Sequence, residues 1–146
     1  MCSALILASL SFKKGGDILC NPAALKEKAG KSLEPYKYDS SELTRILYKK
    51  KESVKEVEVP LFIGEKYMFV FEMEALPKRV EVEIYNRDKD SKKRKLLFSS
   101  KGKTDLTEFQ CEISKMRTVY VDYIVPASDE SAQTGCALFV LGYKLK

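Results

Sequence analysis

The chain has 146 residues, enough for one domain with a buried core, and its 45% hydrophobic and 32% charged content is that of an ordinary globular protein. Its 26 basic and 21 acidic residues leave a charge of +5, which gives weak attraction to anionic surfaces but does not require a nucleic-acid partner. Histidine and tryptophan are both absent. The first absence excludes every histidine-based triad, proton relay and zinc or copper site, and the second removes the preferred sugar-stacking side chain.

In chain order, Cys2 to Phe12 is an uncharged, largely apolar run followed at once by Lys13-Lys14-Gly15-Gly16-Asp17. As a helix it rises roughly 16 Å, about half of a bilayer's hydrocarbon core, so it does not span a membrane alone. It matches the apolar region of a secretory signal, with a small-x-small site at Ser9-Leu10-Ser11, although only Met1 stands where a basic segment belongs. The expectation is a truncated signal and linker over 1–19 and a single domain over 20–146, periplasmic or secreted, with no stable membrane insertion once the signal is removed. A first core strand or helix is the alternative for the same run. A lipoprotein processing site at Cys20 is rejected, because Asp17-Ile18-Leu19 places no small residue before the cysteine.

With such a signal removed, Cys20, Cys111 and Cys136 remain, and an odd count allows one bridge with a spare thiol or three free cysteines. A Cys20–Cys136 disulfide would tie the N-terminal segment to the last strand and contribute about 4 kcal/mol in the chain-entropy view. The sequence is equally compatible with no bridge. Cys111, in phase with Phe109 and Ile113, reads as a small core residue. No CxxC or metal-ligand spacing occurs, and nothing calls for a cofactor.

Asn21 to Ala29 reads as a short helix, with Asn21 as N-cap, Pro22 at the first helical position and Gly30 at the stop. Leu33 to Asp39 follows as an extended connector held by Pro35 and closed by the turn-prone Asp39-Ser40-Ser41. From Glu42 onward the period becomes two. Val80, Val82 and Ile84 alternate with Glu81 and Glu83, a strand with one wet face, whereas Tyr67 to Met73 and Ala137 to Leu141 are apolar on both faces. About eight strands result, near Thr44–Lys49, Lys55–Phe62, Lys66–Met73, Arg79–Asn86, Lys95–Ser99, Glu108–Ile113, Arg117–Val125 and Cys136–Lys144. The fold class is all-β, an antiparallel β-sandwich of the jelly-roll or immunoglobulin-like type with a short N-terminal helix.

Four constellations invite a functional reading. Asp88-Lys89-Asp90-Ser91 opens like a calcium loop, but Lys92-Lys93-Arg94-Lys95 puts cations where oxygen ligands belong. That basic run and Lys49-Lys50-Lys51 imitate nucleic-acid patches, yet Glu52, Glu56 and Glu58 follow closely, and strand-end charges also guard sheet edges. No nucleic-acid partner is expected. Tyr36 and Tyr38, two apart on an extended segment, face the same way as candidate ligand-facing aromatics, or pack on the sandwich with hydroxyls at its rim. No nucleophile elbow, SxxK or P-loop organises an enzyme, although paired carboxylates leave a small hydrolase open.

The segments Val59 to Tyr67, Val82 to Asn86 and Gly135 to Tyr143 (VPLFIGEKY, VEIYN and GCALFVLGY) resemble a family of uncharacterised exported proteins of Bacteroidetes-type Gram-negative bacteria, over most of the chain after Cys20. More loosely, the order of a strand, a Gly-Glu turn, an aromatic strand and an Ile-Tyr strand is similar to pre-peptidase C-terminal accessory sandwiches. Both likenesses imply export and a binding or accessory role, and neither supplies functional residues. The expected function is a non-catalytic accessory or interaction domain for a protein or glycan partner, with affinity in exposed edges, aromatics or the Pro126 to Gly135 loop. A carbohydrate-binding module using Tyr36 and Tyr38 is the alternative, and a small hydrolase using paired carboxylates is the remaining one.

Overall fold

A computed structural model describes residues 20–102, 106–112, 118–130 and 133–145, so the expected signal over 1–19 lies outside the described residues. Among the described residues, one helix, α1 (Pro22–Gly30), precedes strands β1 (Lys37–Leu47), β2 (Ser53–Pro60), β3 (Glu65–Glu72), β4 (Glu81–Tyr85), β5 (Leu96–Ser99), β6 (Leu106–Glu112), β7 (Thr118–Val125) and β8 (Thr134–Leu145). Two four-stranded antiparallel sheets form, ordered β1-β8-β3-β6 and β2-β7-β4-β5. Consecutive strands change sheet at β1–β2, β2–β3, β3–β4, β5–β6, β6–β7 and β7–β8, which is the strand order of a jelly roll.

Alternation decides which side chains fill the middle. Val82 and Ile84 from β4, Val121 and Tyr123 from β7, Phe69 and Phe71 from β3, and Phe139 and Leu141 from β8 share one buried cluster. Phe139 lies 5.7 Å from Phe69 and 5.8 Å from Phe71 between ring centroids, and Phe71 meets the Tyr123 edge at 6.4 Å. Each such side chain stabilises the fold by about 1.5–3 kcal/mol relative to exposure.

The residues of β3 and β8 that point the other way are also apolar, and a second cluster explains them. Leu25 and Ala29 of α1, with Leu33, pack on Met68, Val70, Leu138 and Val140. Two turns of helix thus give the first sheet an apolar layer on its outer face. The helix starts as its sequence dictates: Asn21 Oδ1 accepts the Ala24 N–H at 3.2 Å and Pro22 opens the first turn. It ends at Gly30, but the Lys31 N–H, bonded back to Glu27 O at 3.3 Å, closes it in right-handed conformation, so no left-handed glycine is needed.

Strand β1 departs from expectation. It begins at Lys37, not near Thr44, and Asp39-Ser40-Ser41 is strand rather than turn. The register against β8 shifts between Tyr38 and Ser40, so a bulge absorbs the turn-prone residues. An edge position suits them, because among the described residues β1 has a strand neighbour on one side only.

Candidate functional site

The connector between α1 and β1 is pressed against the first sheet at Gly142. A Cβ there would stand 2.7 Å from Leu33 Cδ2 and 3.0 Å from Tyr36 Cβ, so only glycine admits this approach. The result is a groove of about 500 Å³ between helix and edge strand, lined by Lys26, Glu27, Leu33, Glu34, Tyr36 and Tyr38 among others. That size falls in the range of small-ligand and peptide-side-chain pockets. Tyr36 and Tyr38 therefore line one concavity, but on different terms. Tyr36 is half-buried against the helix-side cluster, whereas Tyr38 is 46% exposed.

Tyr38 is held in place from two sides. Its hydroxyl donates to Ser41 Oγ at 3.2 Å, and Lys26 Nζ lies 4.5 Å from its ring centroid. The contact with Ser41 first, and Lys26 second, draws the Tyr38 phenol below its ordinary pKa. A sugar ring stacking on Tyr38 meets that ammonium on one face.

The helix that forms the groove's far wall is anchored at both ends. Cys20, just before it, is joined by a disulfide to Cys136 of β8, with Cα atoms 5.8 Å apart. Toward its other end Lys28 pairs with Glu74 and lies 3.7 Å from Glu72 Oε2. Glu72 is fully buried, and burial pushes its carboxyl above the usual range, although its Oε1 accepts the Glu74 N–H at 3.0 Å. Cys111 belongs to β6, and its side chain, read from the sequence as core, lies outside the described residues.

A second constellation, unread in the sequence, crosses the outer face of the other sheet. Glu56 of β2 and Glu83 of β4 both pair in register with Asp122 of β7, so three carboxylates run across adjacent strands. Like charges opposite one another repel, and the fold answers with the β4–β5 loop, 86–95. Arg94 Nη1 lies 2.7 Å from Asp122 Oδ2 and 3.9 Å from Glu56 Oε2, while its guanidinium stacks 3.6 Å from the Tyr85 ring centroid. Tyr85 donates to Glu83, and the Lys89 N–H donates to Glu56. Burial, reinforced by a hydrogen bond with Asp122, pushes the Glu56 carboxyl up to about 7. Retaining its proton to higher pH, the Glu56 carboxyl relieves part of the repulsion. Asp122 has no exposed surface, whereas the Glu56 side chain is 13% exposed beside the loop. The signal was present in the sequence: Asp122 interrupts an otherwise apolar strand.

A second concavity of about 470 Å³ lies between the β1 and β2 edges, with a charged lining that includes Glu42, Lys55 and Glu58. Among the described residues, no group of three or more cysteines or carboxylates is placed to hold a metal ion, and no helix is long and apolar enough to cross a membrane. Compared with known proteins, the sequence matches no family model and no curated protein.

Proposed function

We propose that this domain is a non-catalytic interaction module, periplasmic or secreted, that holds an extended protein segment along the groove between α1 and β1. The observation that carries the reading is a coincidence of features. The groove's tyrosines stand at the start of β1, which among the described residues is an edge strand with a neighbour on one side only, so pocket and free strand edge adjoin. Strand addition supplies affinity through main-chain hydrogen bonds, while an adjoining pocket selects side chains. Lys26 and the acidic Glu27 and Glu34 give the rim both signs of charge. The Cys20–Cys136 bridge fits an oxidising compartment, which supports export. The carboxylate pair that a hydrolase would use lies beneath Arg94, which supports a non-catalytic role.

The sugar-binding alternative rests on the same tyrosines, and Lys26 over Tyr38 weighs against it. Selection from a phage-displayed peptide library, run beside a glycan array, separates the two. Peptide binders whose affinity falls about tenfold or more on Tyr38→Ala, and holds on Tyr85→Ala, support the groove. Peptide binders indifferent to Tyr38→Ala overturn it, and array hits abolished by that substitution favour the sugar reading.

A further inference from the structure

We infer that the tip of the β2–β3 loop, where the chain crosses from one sheet to the other, seats this domain on an anionic bilayer surface. Phe62 and Ile63 at the tip are 68% and 52% exposed, and Leu145, one residue beyond Lys144 on β8, is 69% exposed. The register Glu65 to Leu145 brings the end of β8 beside the tip, so the three apolar side chains belong to one end of the sandwich. Their exposure is built into the backbone. Leu61 is buried, Gly64 takes φ +91° to make the turn, and the Phe62 N–H donates to the Tyr67 hydroxyl at 2.9 Å. Tyr67 is itself buried in the core, so the loop is tied down while its two largest apolar side chains remain exposed. Contiguous exposed apolar groups of this kind mark contact surfaces.

The surrounding charge identifies the partner. Lys66 and Lys144 face each other directly across β3 and β8, and Lys66 also stands in register with Glu112 of β6, so this row holds two cations to one anion and stays net positive. The registers Pro60 to Thr118 and Tyr85 to Tyr120 show that the β4–β5 loop leaves its sheet at this same end. That loop carries exposed Arg87, Lys89, Lys92, Lys93 and Lys95 against two aspartates, Asp88 and Asp90. A second copy of the chain would present the same basic end and be repelled. An anionic bilayer offers headgroups to the lysines and an apolar boundary to Phe62 and Ile63, and stable peripheral attachment needs both kinds of contact.

The absence of tryptophan makes the test clean, because Phe62→Trp introduces a single reporter at the tip. The full chain carrying Phe62→Trp is mixed with vesicles of equal parts phosphatidylglycerol and phosphatidylcholine, and with pure phosphatidylcholine vesicles. A blue shift and quenching by brominated lipid in the anionic vesicles alone are expected. In co-sedimentation, the wild-type chain binds the anionic vesicles, Phe62→Ser with Ile63→Ser weakens binding about tenfold or more, and Lys92→Glu with Lys93→Glu weakens it severalfold, each with an unchanged unfolding midpoint. An unshifted indole emission from the Phe62→Trp chain, equal binding to both vesicles, or binding that survives the double serine substitution overturns the inference.

Discussion

The two outer faces of this sandwich solve the same problem by opposite means. The first sheet covers its outer face with a helix, apolar packing and a disulfide, so β3 and β8 are greasy on both sides. The second sheet keeps a polar outer face and neutralises a row of carboxylates with one loop arginine and a retained proton. Closure by the helix depends mainly on covalent and packing anchors, with Lys28 and buried Glu72 adding an ionic contribution, whereas closure by the loop depends on Arg94 and on protonation.

The largest effect is expected at the helix-side anchor. Cys20 and Cys136 are 116 residues apart, and Cys20→Ser with Cys136→Ser should lower stability by about 4 to 5 kcal/mol in urea unfolding. Next, Arg94→Ala strands the buried Asp122 carboxylate and should cost about 2 to 3 kcal/mol, below the full buried-pair value because the Arg94 side chain is 25% exposed. A loss near zero would mean that the loop closes the face without its ion pair.

The pH prediction is smaller and carries a definite sign. The folded protein raises the Glu56 carboxyl from 4.5 to about 7, so the native state holds this proton more tightly than the unfolded chain does. The stability it contributes is complete below about pH 4.5 and is lost as pH rises through 7. Glu56→Gln, which cannot ionise and still offers an oxygen to the Lys89 N–H, should flatten that slope and stabilise the protein above pH 7 by about 1 to 2 kcal/mol. A matched pH series of denaturation curves checks it, and an unchanged slope refutes the raised Glu56 carboxyl. The smallest effect belongs to Lys26→Ala, about 0.5 kcal/mol at most, because the cation over exposed Tyr38 is well solvated.

How much of this the sequence disclosed follows from how local each cause is. The core alternation of β4 and β7 and the two-sided apolar runs of β3 and β8 are visible because strand period is local. The cap at Asn21 is local too, and the helix was legible. That this helix covers β3 and β8 was not, since the covering residues lie well over thirty positions from Met68 and Val70 and over one hundred from Leu138. Asp39-Ser40-Ser41 carries turn chemistry, and only the edge position with its bulge makes it a strand. The carboxylate row escaped for the same reason as the helix cover. Glu56, Asp122 and Arg94 come from β2, β7 and a loop, and only register brings them together. Tyr36 and Tyr38 were legible as a pair, but the Lys26 that occupies one ring was not.

The contrast between the faces is tested most directly by hydrogen–deuterium exchange with and without reductant. Reduction should raise exchange in α1, 22–30, and in the following connector, while amides of β2, β4 and β7 keep their protection. Equal loss of protection in both sheets, or an α1 that exchanges identically in the two conditions, would contradict a helix cover held by its covalent anchor.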